Sequence, residues 1–217
     1  MKRKCLFYRG LRKVYRIFFP PPTEEERKRK KQLQDYKYLI SHGVETELGY
    51  VELFGYPIIR KALGSRIVIG KGVMLISESQ YNTSGINHPC ILSAEVAGAE
   101  IIIHDGVGMS GTAVVAVGRV EIGEQTMLGA NTNVYETDFH SADPVKRFGH
   151  ETIAEVPHAP IVIGKRCWIA SNSTVLKGVT IGDETVVGAM SLVNRPLPPR
   201  VLAGGVPAKV IKQLNYE

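Results

Sequence analysis

Six histidines are the residues of this chain best suited to moving a proton near neutral pH, and His140, His150 and His158 share one polar stretch. An unperturbed imidazole titrates near about pH 6.5, so it can take a proton from a hydroxyl or amine as that group attacks an electrophile. Glu136, Asp138 and Asp143 lie close to His140, and spacing does not choose between them and a backbone carbonyl as the group that orients its ring. His42, His88 and His104 stand apart and read as structural. Metal chemistry is a poorer match: a three-histidine zinc site wants two ligands about five residues apart on one coil, and these pairs are spread through a single loop. Cys5, Cys90 and Cys167 form neither a CxxC pair nor a disulfide framework, which fits a reducing, cytoplasmic setting.

The formal charge of +6 suggests nucleic acid until it is mapped. Residues 1–31 hold 12 Lys/Arg against 3 Glu, which leaves the remaining chain with 15 basic and 18 acidic residues. The basic character therefore belongs to an arm, and nucleic acid is not the expected partner. No stretch approaches the roughly 20 apolar residues of a membrane span, and Arg9, Arg12, Lys13 and Arg16 interrupt the first apolar run.

What must hold the histidine loop is a repeat. An aliphatic residue recurs every six positions at Ile163, Ile169, Val175, Ile181, Val187 and Val193, often followed by glycine or alanine. Four positions after each stands Cys167, Ser173, Val179, Thr185 or Ser191. The same phase appears upstream at Ile122, Leu128 and Val134, again at Ile103, Met109 and Val115, and faintly at Ile69-Gly70. A period of six fits no helical stripe. It fits a solenoid in which each six-residue unit makes a short strand and a turn, and three units close a triangular coil of 18 residues. Coils then stack in parallel ladders about 4.8 Å apart. Glycine at the second position suits a turn with positive φ.

Ile103 to Ile122 is 19 residues, so one extra residue enters as a bulge or longer turn. Ile122 to Ile163 is 41, so about 23 residues leave the coil as a loop, roughly 140–160; loops of that length are usually functional. The repeat ends at Arg195-Pro-Leu-Pro-Pro199, after which Pro207 to Leu214 reads as a short capping helix.

Residues 1–50 read as a basic, largely helical arm, and 51–217 as the repeat domain with its inserted loop and cap. Phe7, Leu11, Val14 and Phe18 share one helical face and basic residues the other, so residues 1–20 are expected to pack on the body or lie peripherally on an anionic membrane surface. Thr23 with Glu24–Glu26 reads as the N-cap of a second helix running to Gly43.

Four motifs carry a resemblance: Ile163-Gly-Lys-Arg-Cys-Trp-Ile-Ala170, Leu176-Lys-Gly-Val-Thr-Ile-Gly182, Val187-Gly-Ala-Met-Ser-Leu-Val193 and Ala203-Gly-Gly-Val-Pro-Ala-Lys-Val210. Together with Thr137-Asp-Phe-His140 they resemble the bacterial hexapeptide-repeat acetyltransferases, closest to the maltose, galactoside and surface-polysaccharide O-acetyltransferases, over about half the chain. The resemblance implies a mainly β protein, a left-handed parallel β-helix, assembled as a homotrimer with acetyl-coenzyme A between adjacent shafts. It implies an acetyl-CoA-dependent O-acetyltransferase acting on a sugar or polysaccharide-precursor hydroxyl, without metal, with His140 as general base. The bland alternative for His140 is a surface histidine.

The same resemblance carries Trp168, Ser171, Ala189, Asn194 and Arg195 over as residues along the cofactor, with Trp168 otherwise an exterior packing residue. Lys209 and Lys212 match basic positions near its phosphates, where a cation is physically sensible. Asn131 matches an acceptor-binding asparagine. The upstream acids that the sugar enzymes use are replaced by Val114-Val-Ala-Val-Gly118, which argues against galactoside or maltose as the acceptor. An antibiotic or amino-sugar acceptor, and a non-catalytic β-helix scaffold, are the competing expectations.

Overall fold

A branched aliphatic residue at every sixth position leaves the chain one way to bury them together, which is to wind them around a common axis. The computed structural model describes residues 22–215 and is such a triangular shaft. The first coil holds β1 (Val51–Phe54), β2 (Ile58–Lys61) and β3 (Arg66–Ile69); the second holds β4 (Val73–Ile76), β5 (Ile91–Ala94) and β6 (Glu100–Ile103). The third holds β7 (Gly108–Ser110), β8 (Ala113–Ala116) and β9 (Arg119–Ile122), and the fourth β10 (Met127–Leu128), β11 (Asn133–Tyr135) and β12 (Ile161–Ile163). The fifth holds β13 (Trp168–Ile169), β14 (Thr174–Leu176) and β15 (Thr180–Ile181). The last comprises β16 (Val186–Val187) and β17 (Leu192–Val193), followed by β18 (Val201–Gly205) and β19 (Ala208–Gln213).

Successive coils stack into an eight-stranded wide face (β1-β4-β7-β10-β13-β16-β18-β19), a six-stranded middle face (β2-β5-β8-β11-β14-β17) and a five-stranded narrow face (β3-β6-β9-β12-β15). The winding is left-handed, as the resemblance implied, against the usual hand of parallel crossovers. Inside the shaft, aliphatic ladders run the length of each face. Leu53, Leu75, Met109, Leu128, Ile169 and Val187 stack under the wide face, and Ile69, Ile103, Ile122, Ile163 and Ile181 under the narrow one. All are buried, and each such side chain contributes about 1.5–3 kcal/mol on leaving water.

Three details differ from the sequence reading. In the third coil Val114, not Val115, takes the inward position opposite Val134, so the step from Met109 is one residue short and the step on to Ile122, through the Val117–Gly118 turn, is two residues long. The second-position glycines are not at positive φ. That conformation falls two residues later, on Arg166, Asn172, Glu184 and Met190. The glycine is needed because the coils approach there: a Cβ on Gly164 would sit 2.4 Å from Asp183 Oδ1. The third correction is the C-terminal cap. Residues 208–213 form no helix; they are β19, antiparallel to β18. A helix that short has little stability of its own, whereas Val210 and Ile211 suit a strand that gains the hydrogen bonds of β18.

At the other end, α1 (Glu24–Ser41) begins with the expected capping box, Glu26 N donating to Thr23 Oγ1 and Thr23 N to the Glu26 carboxylate. It buries Leu39 in the core and lies along β1, where Leu53 N donates to Asp35 and Lys31 Nζ donates to Leu53 O. The expected first helix lies outside the described residues. Two segments leave the shaft: residues 77–90 at the edge between the wide and middle faces, and residues 136–160 at the edge between the middle and narrow faces. The latter carries the short helix α2 (Pro144–Arg147).

Candidate active site

The loop bearing His140 is clamped at its base. Glu136 N donates to Val115 O and Ala159 N donates to Glu136 O, both at 3.1 Å. Thr137 pairs antiparallel with His158, and Asp138 N donates to Pro157 O. Lys177, on the next coil, holds the Asp138 carboxylate at 2.6 Å. Phe139 then adopts φ 64°, a left-handed conformation uncommon for a bulky residue, with its ring edge-on to Tyr135. Burial pushes the Tyr135 phenol up. His140 follows directly, exposed and with no hydrogen-bond partner among the described residues.

None of the three nearby acids orients it within the chain. Asp138 is held by Lys177, and Asp143 caps α2 by accepting from Val145 N at 2.9 Å. Glu136 is wholly buried, with Oε2 accepting from Val117 N at 2.8 Å and Gly118 N at 2.9 Å. Its Oε1 has no partner among the described residues and lies against Gly118, where a Cβ would be 2.8 Å away. His42, His88 and His158 each bond a carbonyl through Nδ1, and His104 bonds Glu121. His150 sits in a shallow hollow with Lys146, Glu151 and Glu155.

The residues carried over for the cofactor fall in three places. Trp168, Val186, Leu202 and Lys212 are directly paired neighbours across the wide face, so they share its outer surface. A bulge at Leu202/Ala203 brings Lys209, opposite Gly204, to that same surface. Trp168 is 49% exposed. Ser171 and Ala189 occupy stacked turns on the wide–middle edge, where Met190 N donates to Ser171 O. Asn194 and Arg195 are exposed on the opposite, middle–narrow edge, which is also the edge of His140. One chain alone does not bring these groups together.

Asn131 stands on the wide–middle edge at φ 59°, its Nδ2 donating to Asn172 Oδ1. Its Oδ1 accepts from Asn87 N at 2.8 Å. The segment 77–90, closed at its base by Cys90 N donating to Ser77 Oγ, therefore reaches Asn131, the residue expected from the resemblance to bind the acceptor, and the repeat pattern does not reveal it. The available signal was the polar run Ser77 to Pro89 between two aliphatic strands. The repeat above Ile103 is too faint to show it as an insertion. Among the described residues, no helix is long and apolar enough to cross a membrane.

Residues 160–195 match the bacterial transferase hexapeptide model of six repeats. The chain is 36% identical over 96 residues to the galactoside O-acetyltransferase of Escherichia coli K12, covering 44% of this chain and 45% of that protein. It is 34% identical over 114 residues to the putative lipopolysaccharide biosynthesis O-acetyl transferase WbbJ of the same strain, covering 48% and 55%. It is 36% identical over 107 residues to that strain's putative colanic acid biosynthesis acetyltransferase WcaF, covering 44% and 59%. The chain thus spans about half the length of the relatives it matches. In structure it is similar to a variant of AntD, an N-acyltransferase from Bacillus cereus in complex with dTDP-4-amino-4,6-dideoxyglucose and coenzyme A. The TM-score is 0.62 at 23% identity, over 84% of this chain and 90% of that one, a likeness of fold. The resemblance read from the repeat motifs is borne out.

Proposed function

We propose that this hexapeptide-repeat β-helix protein transfers an acetyl group from acetyl-coenzyme A to a hydroxyl of a sugar in a polysaccharide or its precursor. The observation that carries the reading is His140, exposed and without a partner among the described residues, just beyond a turn that the shaft clamps on both sides. A thioester is already activated, so the reaction needs a base and alignment. The acceptor oxygen attacks the thioester carbonyl while His140 takes its proton. The carbon–sulfur bond then breaks, and the coenzyme A thiolate leaves and is reprotonated by the imidazolium. The names of the matched relatives support a sugar acceptor.

His140 with Arg195, and Asn131 with Ser171, border the middle face on opposite edges. A site using both sets is complete only where the edge of one copy meets the other edge of the next, which supports a homotrimer with coenzyme A between shafts. Lys209 and Lys212 would hold its phosphates as point charges, and Trp168 would flank the reacting end. The exposed Met127–Trp168 pair on the wide face supports association of copies.

The test is thiol release from acetyl-CoA in the presence of sugar acceptors, run beside thermal unfolding with acetyl-CoA. Saturation at about 100 times Kd stabilises the fold by about 2.7 kcal/mol, and His140→Ala lowers turnover by about 10²–10⁴-fold while keeping that stabilisation. Turnover preserved in His140→Ala removes the base assignment; no stabilisation by acetyl-CoA removes the transferase reading.

A further inference from the structure

Beside α1 and the first coil lies a groove of about 400 Å³, lined by Arg27, Lys30, Phe54, Tyr56, Glu78 and Tyr81. Tyr56 is 52% and Tyr81 50% exposed, with Tyr81 set edge-on against Phe54 and Tyr56 stacked on Tyr38. The groove therefore offers aromatic surface held in place by other aromatics. Its cations outnumber its acids, Arg27, Lys30 and Lys31 against Asp35 and Glu78. Asp35 is neutralised by Lys31, and the Glu78 carboxylate accepts from Gln80 Nε2. Lys30 and Arg27 have no carboxylate partner among the described residues; the only side-chain bond of Arg27 is from Nε to Thr23 O.

Glu78 also borders a second hollow, formed by the 77–90 segment with Gln80, Asn87 and His88. Asn87 N donates in turn to Asn131 Oδ1. The two hollows share Glu78, and the segment lining the second reaches Asn131, so all three stand in line along the wide–middle edge. Tyr56 lies on the first coil and Asn131 on the fourth, three steps of about 4.8 Å, so the line is about 14 Å long. A single sugar ring with its hydroxyl at Asn131 cannot reach Arg27. A chain of rings can.

We infer that this edge binds an anionic oligosaccharide, a carboxylate-bearing glycan chain, with its acidic, ring-stacked end in the Arg27–Tyr81 groove and its acetylated unit at Asn131. This deepens the sugar-acceptor reading and rests on it. Aromatic faces take the apolar face of a pyranose ring. The unpaired cations select acid groups, and the amides and hydroxyls between accept and donate to ring hydroxyls. The segment 77–90 supplies the polar upstream groups that Val114–Gly118 lacks, which makes it the element that sets acceptor specificity.

The experiment is calorimetric titration of the full chain with tetragalacturonate, monomeric galacturonate, maltotetraose and UDP-glucose, beside the thermal response to acetyl-CoA. Tetragalacturonate binds about tenfold or more tighter than either the monomer or the neutral tetramer, and weakens as salt rises. Exchanging Arg27 and Lys30 together for alanine removes that advantage, Tyr81→Ala weakens both tetramers, and acetyl-CoA stabilises all variants alike. Equal binding of neutral and acidic tetramers, indifference to the Arg27/Lys30 exchange, or binding of UDP-glucose alone overturns the inference. Loss of the acetyl-CoA response in the unaltered chain instead defeats the transferase reading and leaves the groove result standing.

Discussion

Phe139 meets Tyr135 edge-on, with 5.1 Å between ring centroids, at the point where the backbone turns left-handed to present His140. A non-glycine residue in that conformation carries about 1–3 kcal/mol of strain, and the aromatic contact returns about 0.5–1.5 kcal/mol. The pair is thus a device for fixing a side chain's direction rather than for holding the fold. Tyr135→Ala is expected to lower kcat by about 10–100-fold through misplacement of His140. The KM for acetyl-CoA and the melting temperature should change little. Steady-state kinetics with a melting curve check this, and a loss confined to KM would contradict it.

Glu136 makes a different prediction. Its Oε2 satisfies two backbone N–H groups at the lengthened Val117–Gly118 turn, out of reach of water. Glu136→Ala leaves both donors bare and should destabilise the protein by about 2–4 kcal/mol, whereas Glu136→Gln keeps an acceptor and should lose less than half of that. Denaturant titration of both variants separates the cases. Equal losses would show that the charge, not the acceptor, is what the turn requires.

The turns themselves can be tested with one methyl group. A Cβ on Gly164 would lie 2.4 Å from Asp183 Oδ1 and 2.7 Å from Asp183 N, so Gly164→Ala should destabilise by about 1–3 kcal/mol. Two residues on, Arg166 sits at φ 53°, where glycine is at ease. Melting temperatures of Gly164→Ala and Arg166→Gly should therefore move unequally, with the larger drop at Gly164.

On the narrow face, acid should loosen a run of ion pairs. The hydrogen bond from His104, with Arg119 beside it, holds the Glu121 carboxyl below the usual carboxylate range, and Arg66 does the same for Glu45. A carboxyl lowered by folding adds stability above about pH 4.5, and that stability is lost as the pH falls through the lowered value. The melting temperature should decline below about pH 4.5, less steeply in Glu121→Gln. The pairs are largely exposed, so added salt should blunt the difference.

The shaft was legible because its rule is strictly periodic: Ile163, Ile169, Val175 and Ile181 announce three strands and a return before any contact is known. The 136–160 excursion was legible for the same reason, as a gap in that count. Legibility failed where information is not local. Val114 and Val115 are equally aliphatic, so their types do not say which faces inward, and the carboxylate that holds the turn after them, Glu136, stands 19 residues beyond Val117. Residues 208–213 became a strand because β18 offered an open edge, which their own sequence does not record. The 77–90 segment was invisible as a specificity element because its partner, Asn131, is 44 residues away from Asn87 in the chain.

A solenoid has no natural length: nothing in one coil tells the next to stop, and a bare terminal strand is a template for another molecule's strand. Here Asp35 and Lys31 occupy the N–H and carbonyl of Leu53, the points at which a foreign chain would begin to add. The helix that carries them is therefore a terminator, and its removal would leave the outer edge of β1 open to strand addition.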